Sequence, residues 1–287
     1  MGYKDIIFEA AAKEQGLSWI TVVENGETST LSVCPASKTL DCYSVSKVFT
    51  VTALGLLCDD GMLSTEERVV DILRDSLPDG MDARWESVTV DDVIRHRWGI
   101  GHGFLDIDVE NIEEYERLYG TRDDFLRIVL SAHLPLEVGS KYVYSDAAYY
   151  LLSRIITVKT GISLTELLRE RLFTPMHFEE TAWSCCPLGF AMGATGLFIR
   201  SADIAKLGQL YIDGGVYGGE RYLSSEWCRT VLERGYELES VAPNVYAKGG
   251  MYGQIIMINT ERRLSIAWLG YDTDGYSERL QALVRGL

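Results

Sequence analysis

Long hydrophobic runs are missing from this chain of 287 residues. No apolar stretch reaches the roughly 18 residues that a transmembrane helix needs, so we expect no membrane span. The first residues, MGYKDIIFEAAAKEQG, lack the basic and apolar regions of a signal peptide. Ile6 stands where a myristoylation signal carries Ser or Thr. From these absences we expect a cytoplasmic protein without a membrane partner.

Basic residues are also scarce, because 27 Lys and Arg face 42 Asp and Glu and leave a formal net charge of −15. Such a charge repels phosphate backbones, so nucleic acid is not expected as a partner. The six cysteines lack paired CxxC spacing, and we expect them to be reduced thiols. The four histidines lack metal-ligand spacing, so we expect surface or capping histidines and no metal.

Two patterns typical of β-hairpins lie near opposite ends of the chain. In SWITVVENGETSTLSVC, two β-branched runs flank Asn25-Gly26, the strongest short hairpin signal. Near the other end, GQIIMIN and LSIAWLG are predicted to be strands joined by TERR. Because isolated hairpins are only marginally stable, we expect both in one antiparallel sheet, built from about residues 15–35 and 245–287.

The region between the hairpins, about residues 44–240, is predicted to be mostly helical. Helical spacing or caps mark SKVFTVTALGLLCDDG, SVTVDDVIRHRWG, TRDDFLRIVLSA, DAAYYLLSRIITVKTG, SLTELLRERLF, SADIAKLGQLYIDGG, SSEWCRTVLERG and, at the end of the chain, YSERLQALVRGL. No repeat or Pro/Gly-rich linker divides the chain. We therefore predict a single α+β domain over residues 1–287, with helices flanking the sheet.

The stretch CYSVSKVFTV places Ser44 three residues before Lys47, at the start of an apolar helix. Residues at this spacing share one helix face, so the two side chains would lie one turn apart. Apolar neighbours such as Val48 would favour a neutral amine, which can take the proton of a serine nucleophile. The same spacing fits a capping serine followed by an exposed lysine, and these residues alone leave both interpretations open.

A second cluster, YVYSDAAYYLL, places Tyr144, Ser145 and Asp146 before an apolar helix. A tyrosine hydroxyl beside a cationic lysine can act as a general acid or base. An equally simple interpretation is that Ser145 or Asp146 caps the helix and that Tyr144 packs against its surroundings.

A third cluster, YAKGGMYGQ, places Lys248, Gly249 and Gly250 at the edge of a predicted strand. Glycines at such an edge let a substrate approach the backbone closely, and the N–H that follows can contribute to an oxyanion hole. An ordinary glycine-rich turn explains the same residues.

The order and spacing of the three clusters resemble the serine β-lactamase and penicillin-binding protein superfamily, most closely its class C-like branch. That branch carries Ser-x-x-Lys on a central helix, then Tyr-x-Asn, then Lys-Thr-Gly or a variant on a C-terminal strand. Here SVSK, YSDAAYYLL and KGGMYGQ stand in the same order. Further similar stretches are VTVDDVIRHRWGIGHG, LPLEVGSKYVYS, TGISLTELLRERLFTPM and ATGLFIRSADIAKLGQLYIDGG, so the resemblance covers roughly residues 15–285.

The resemblance implies a serine hydrolase that works through an acyl-enzyme and needs no cofactor. Ser44 would attack a carbonyl, Lys47 would take its proton, and Tyr144 would carry a proton to the leaving group and later activate water. The N–H groups of Ser44 and Met251 would hold the oxyanion. The residues expected to bind substrate are Asp146, Lys248, Gly249, Gly250 and Met251.

Three positions depart from the motifs of that branch. Asp146 replaces the usual Asn, which removes an amide donor and favours a cationic Lys47. Gly249 replaces Thr, so a hydroxyl that helps to hold a substrate carboxylate is missing. Trp98-Gly99 stands where Ser-Gly is usual, and the indole could narrow the site or simply pack.

These departures favour small esters and amides as substrates. The alternatives are β-lactamase or D-alanyl-D-alanine carboxypeptidase activity, and a non-catalytic binding or sensor domain on the same fold. The sequence Lys159-Thr160-Gly161 imitates the third motif, but it ends a predicted helix where Gly161 suits a C-cap, so Lys159 is left out of the site. The oligomeric state is left open.

Overall fold

The structure, a computed structural model, describes residues 2–105, 113 and 124–287. The chain divides into two compact units. The first comprises Met1–Val48, Arg171–Ala182 and Gly196–Leu287, and the second comprises Phe49–Glu170 and Trp183–Thr195. That the whole chain forms one domain stays a prediction.

The strands, in chain order, are β1 (Leu17–Glu24), β2 (Glu27–Ser32), β3 (Thr39–Asp41), β4 (Ala182–Trp183), β5 (Leu197–Arg200), β6 (Val216–Tyr217), β7 (Glu220–Arg221), β8 (Glu239–Ala242), β9 (Val245–Gly249), β10 (Ile255–Asn259) and β11 (Leu264–Gly270). The α-helices of the described residues are α1 (Tyr3–Ala11), α2 (Ser46–Asp59), α3 (Val69–Ile72), α4 (Val90–Ile94), α5 (Phe125–Leu130), α6 (Asp146–Thr160), α7 (Leu164–Leu168), α8 (Ser201–Ile212), α9 (Ser225–Arg234) and α10 (Tyr276–Arg285).

A six-stranded antiparallel sheet in the order β2-β1-β11-β10-β9-β8 is the centre of the first unit. It joins the two predicted hairpins through the pairing of β1 with β11, so the sheet built from both ends of the chain is confirmed. Asn25 and Gly26 have φ of 53° and 83°, as a two-residue hairpin turn with positive φ requires.

Helices cover both faces of this sheet. On one face, α1 and α10 contribute Ile7, Leu280 and Val284 to a buried cluster with strand residues such as Ile266 and Trp268. On the other face lies α8, whose Ala205 carbonyl accepts a hydrogen bond of 2.8 Å from Ser265 Oγ on β11. The α+β class with flanking helices is therefore confirmed, although the sequence analysis did not predict α1.

The second unit is built around α6, which contacts α3, α4, α5 and α7. Ser145 caps its start, and Gly161 ends it in the left-handed conformation with φ of 76°. Thr89, Ser163 and Ser224 likewise cap the predicted helices α4, α7 and α9. The first residues of the predicted helix TRDDFLRIVLSA lie outside the described residues, and its described part is α5.

Where the structure describes the chain, each helix is too short or too polar to cross a bilayer.

Candidate active site

Ser44 lies in a 3₁₀ turn, Tyr43–Val45, between strand β3 and helix α2. Tyr43 adopts a φ of 49°, which is unfavourable for a side chain of its size. Its N–H donates to Asp41 Oδ1 at 2.8 Å, and its carbonyl accepts from Ser46 Oγ at 2.6 Å. These bonds hold the turn that presents Ser44 just ahead of the helix.

Lys47 is completely buried, and its Nζ donates a hydrogen bond of 3.0 Å to Ser44 Oγ. Val45 and Val48, on either side of the pair in sequence, are buried as well. The interpretation of Lys47 as an exposed surface lysine is therefore wrong. An amine at hydrogen-bond distance from a serine hydroxyl has the geometry that a nucleophile and its general base require.

The third motif lies next to the Ser44 turn within the first unit. Lys248 and Gly249 end strand β9, and Gly250 follows them. A Cβ added at Gly250 would lie 2.8 Å from the Cys42 carbonyl oxygen, which is closer than real Cβ contacts. Glycine at this position lets the end of β9 approach the backbone of the Ser44 turn.

Gly249 is not crowded in this way. A Cβ there would meet its nearest neighbour, Ile255 Cδ1, at 3.7 Å, an ordinary van der Waals distance. The missing side chain at this position of the motif is thus not imposed by packing. Glycine at position 249 leaves the strand edge without a hydroxyl, and the packing around it does not require a glycine.

Tyrosines line the turn that follows the third motif. The ring of Tyr43 meets that of Tyr252 edge-on at 5.1 Å, and Tyr252 stacks on Tyr271 at 4.3 Å. Met251, which precedes Tyr252 in the sequence, is half exposed. The sequence analysis missed these rings, because their positions show no periodicity and the contact depends on the pairing of the strands.

A second residue missed by the sequence analysis is Glu237, which forms an ion pair with Lys248. Both side chains are almost completely buried. Glu237 lies in the connection between α9 and β8 with φ of 63°. Nothing in the local sequence marks this glutamate, because its proximity to Lys248 results from the pairing of β8 with β9.

Tyr144 of the second motif belongs to the second unit, where its ring packs on His96 with centroids 4.7 Å apart. The Ser145 N–H donates to His96 Nδ1 at 3.3 Å, and the Val143 N–H donates to the His96 carbonyl at 2.8 Å. His96 is only 2% exposed. The expectation of a surface or capping histidine is wrong for His96, which instead supports the segment that carries Tyr144.

Ser145, rather than Asp146, is the N-cap of helix α6. Its Oγ accepts from the Ala147 N–H at 3.2 Å and exchanges two further hydrogen bonds with the backbone of Phe104. Asp146 is the first helical residue and is buried. Asp146 is therefore not needed as the cap, and its part in substrate binding stays a prediction.

A cavity of about 380 Å³ lies beside the second motif in the same unit. Phe104, whose backbone bonds Ser145, is part of its wall. The lining is largely apolar with two imidazoles: Ile100, Gly101, His102, Phe104, Ile128, Ala132, His133 and Pro135. Such a lining suits an uncharged organic group.

Two residues about which the sequence posed a question have structural roles. Trp98 is fully buried, and its ring centroid lies 5.2 Å from that of Trp85 and 6.0 Å from that of Phe104. Of the two expectations for Trp98, the indole therefore serves packing. Lys159 of the imitation motif ends helix α6 and forms an ion pair of 2.6 Å with Glu67. Its exclusion from the site agrees with its place at a helix end.

Over residues 2–105, 113 and 124–287, no group of three or more His, Cys, Asp or Glu is arranged to hold a metal ion.

Comparison with known proteins gives the family. The family model Beta-lactamase matches residues 34–282. Penicillin-binding protein 4 of Amycolatopsis lactamdurans is 28% identical over 63% of this chain and 53% of its own length. The match covers about half the length of that relative, and it covers a smaller share of some other relatives.

Solved structures give the same fold. A family VIII carboxylesterase superposes with a TM-score of 0.74 at 18% identity, covering 99% of this chain and 96% of the esterase. A D-stereospecific amidohydrolase from Streptomyces sp. superposes with a TM-score of 0.72 at 16% identity, covering 98% of each chain. The match of the family model over most of the chain shows that it belongs to the β-lactamase family, and both the resemblance and the expected fold are confirmed.

Proposed function

We propose that this protein hydrolyses small esters or amides through an acyl-enzyme formed on Ser44. The observation that carries the proposal is the hydrogen bond of 3.0 Å between Ser44 Oγ and the buried Nζ of Lys47. A buried lysine beside a strained turn is an unfavourable arrangement for stability alone. Its geometry suits the activation of a weak hydroxyl nucleophile.

In the acylation step, neutral Lys47 takes the Ser44 proton as Oγ forms a bond to the substrate carbonyl carbon. The carbonyl oxygen becomes an oxyanion, which the N–H groups of Ser44 and Met251 stabilise. The oxyanion then collapses, the bond to the leaving group breaks, and the proton held by Lys47 passes through Tyr144 to that group. In deacylation, Tyr144 and Lys47 take a proton from a water, whose oxygen forms a bond to the acyl carbon. The C–Oγ bond then breaks, the acid leaves, and the proton returns to Ser44 Oγ.

The third motif supports uncharged substrates ahead of carboxylates. Gly249 provides no hydroxyl beside Lys248, although a Cβ would meet only ordinary van der Waals contacts there. Substrate contacts by Asp146, Lys248 and the glycines of the third motif are part of the proposal.

β-Lactamase or D-alanyl-D-alanine carboxypeptidase activity is the second candidate. The relative named penicillin-binding protein 4 favours it. A substrate panel distinguishes the two candidates: p-nitrophenyl esters and anilides against nitrocefin and D-alanyl-D-alanine peptides. We expect the highest kcat/KM on the neutral esters.

The test of the proposal is labelling by a fluorophosphonate, which reacts with activated serines. Intact mass spectrometry should show one adduct per chain in the wild type and none in Ser44→Ala. Ser32→Ala is the matched control, because Ser32 is an exposed serine on β2 of the same unit whose Oγ donates only to the Cys34 carbonyl in the described hydrogen bonds. A label that persists in Ser44→Ala would assign the nucleophile to another residue, and a wild type that takes no label would favour a non-catalytic binding domain instead.

A cytoplasmic location and a small-molecule substrate belong to the same proposal. All six cysteines are free, as in proteins of a reducing compartment. Cell fractionation against a periplasmic marker tests the location.

A further inference from the structure

We propose that Glu237 neutralises Lys248 and thereby directs the active site to substrates whose leaving group carries no carboxylate. This inference rests on the proposed function, because it concerns substrate choice at the same site. It assigns a role to Glu237, a residue that no motif of the sequence singles out.

The ion pair is enclosed by protein. Lys248 is 9% exposed and Glu237 is 3% exposed. Lys248 lies on β9 opposite Ile256 of β10, two residues before Gly250, whose backbone meets the Ser44 turn. A substrate group that reached the Lys248 ammonium would therefore also meet the field of the Glu237 carboxylate.

Glu237 is held in place by its backbone. Its N–H donates to the Gly235 carbonyl at 2.8 Å, just past the C-cap of helix α9. Its φ of 63° is one that glycine adopts freely and glutamate rarely does. A buried carboxylate in a strained turn contributes little to stability on its own, whereas it fixes the charge beside Lys248.

The consequence for substrates follows from the net charge of the pair. An isolated ammonium at the end of the third motif would attract a carboxylate through a charge-assisted hydrogen bond. An ammonium already paired with a carboxylate presents almost no net charge, and a second carboxylate would be repelled by the first. Gly249 removes the hydroxyl that could compensate. The site therefore prefers neutral esters and amides.

The test uses two phenyl acetates that differ in one ring substituent, a carboxylate or its uncharged methyl ester: 3-acetoxybenzoate and methyl 3-acetoxybenzoate, with release of the phenol as the measured reaction. Values of kcat/KM for both are measured with the wild type and with Glu237→Gln, which keeps the shape and removes the charge. We expect Glu237→Gln to raise the ratio of kcat/KM for the acid over the methyl ester about 10-fold, through a lower KM for the acid. Comparing ratios between proteins cancels the different intrinsic reactivities of the esters.

Glu14→Gln is the matched control. Glu14 forms an ion pair with Arg279 in the same unit, so this variant changes the net charge of the chain equally. Its ratio should equal that of the wild type. Equal ratios in Glu237→Gln and Glu14→Gln would overturn the inference while leaving the proposed function intact. A wild type that cleaves neither ester and takes no fluorophosphonate would instead overturn the proposed function.

Two further measurements test the inference even if Glu237→Gln is too unstable for kinetics. Glu237→Gly removes the carboxylate at a backbone conformation that suits glycine, and it should give the same gain for the acid. Calorimetric binding of 3-hydroxybenzoate, which needs no turnover, should tighten about 10-fold in either variant. Binding that stays unchanged in both variants would contradict a neutralising role for Glu237.

Discussion

Lys47 and Ser44 form the part of the site that the side-chain geometry defines most sharply. A lysine without exposed surface loses its hydration, and the loss is tolerated only where protein groups replace the water. One replacement is Ser44 Oγ, at 3.0 Å from Nζ. The same amine, when neutral, can take the hydroxyl proton. The contact with Ser44 Oγ therefore serves both the burial of Lys47 and its proposed role as a base.

Replacing Lys47 should affect the chemical step more than substrate binding. We expect Lys47→Met, which keeps an unbranched side chain one atom shorter and removes the amine, to lower kcat on a neutral ester about 10²- to 10⁴-fold, the range for a general base. Lys248→Met should change mainly KM. Lys159→Met, in the imitation motif, should leave both constants unchanged. A larger loss of kcat in Lys248→Met than in Lys47→Met would show that the two roles are assigned wrongly.

The two adjacent glycines of the third motif should respond differently to a methyl group. In Gly250→Ala the new Cβ would lie within 2.8 Å of the Cys42 carbonyl, so the end of β9 must move from the Ser44 turn. We expect a loss of about 1–3 kcal/mol in the free energy of unfolding, as for overpacking, together with a lower kcat. In Gly249→Ala, where the closest contact is 3.7 Å, the fold should be unaffected. Chemical denaturation and ester kinetics on both variants check this, and equal effects would contradict the packing described.

At the scale of elements, Asp272 joins helix α10 to the turn that follows the third motif. Its carboxylate accepts four backbone N–H bonds, from Asp274, Gly275, Tyr276 and Ser277, at 2.7–3.2 Å. Its own N–H donates to the Tyr252 carbonyl at 2.9 Å. One aspartate therefore holds both the start of the last helix and the loop beside the site.

The stabilisation by Asp272 should depend on pH. Burial raises the pKa of Asp272, but the four N–H bonds together lower it by more than burial raises it. The pKa of Asp272 therefore lies below the ordinary 3.8. A carboxyl with a lowered folded-state pKa stabilises the fold above the unfolded-state pKa, and this stabilisation disappears as the pH falls through the folded-state value.

Asp272→Asn should therefore lower the free energy of unfolding by about 1–3 kcal/mol at pH 7, and by less below about pH 4. The amide places an NH₂ donor against N–H groups that need an acceptor. Asp274→Asn is the control, because Asp274 is half exposed and forms only a surface ion pair with Arg279. A difference between wild type and Asp272→Asn that is constant with pH would contradict this explanation.

Local sequence was sufficient for the elements that local chemistry determines. The Asn25-Gly26 turn and the glycine C-cap at Gly161 are each determined by a few adjacent residues, and both are confirmed. The cap of α6, which the sequence left open between Ser145 and Asp146, is Ser145. Helix α1 was missed, because its sequence lacks a strong cap and its apolar face is defined only against the sheet and α10.

The site was predictable only as far as its motifs. Ser44 and Lys47 are neighbours in one turn, so their contact followed from helical spacing. Glu237 and His96 were not predicted as supports, because Lys248 and Tyr144 lie far from them in sequence and meet them through tertiary packing. Family motifs name the groups proposed to touch substrate, whereas residues that hold those groups carry no comparable pattern.

At the scale of the whole molecule, the sheet explains how distant parts of the sequence form one site in the first unit. Strands from both ends of the chain pair as β1 with β11, and β9 lies two strands away from β11. The Ser44 turn follows strand β3, and Gly250 beyond β9 meets its Cys42 carbonyl. Removal of either chain end should therefore disrupt the site through loss of the sheet.

The thiols provide a test of the chain as a whole. All six cysteines are free, so the denatured, unreduced protein should release six equivalents of thionitrobenzoate from Ellman's reagent. Burial raises the pKa of Cys58 to about 12, with the charges of Asp59 and Glu67 adding to the effect. In the native protein at pH 8, Cys58 should therefore react slowly, and Cys58→Ser should leave the fast phase unchanged. Fewer than six thiols after denaturation would reveal a disulfide.

The most direct test of the central claim is to trap the acyl-enzyme. The protein is mixed with a p-nitrophenyl ester, quenched in acid during the pre-steady-state burst, and analysed by intact mass and peptide mapping. We expect one acyl group per chain, located on Ser44 and absent from Ser44→Ala. An acyl group located on Cys42, or hydrolysis without any adduct on Ser44, would contradict the proposed serine mechanism.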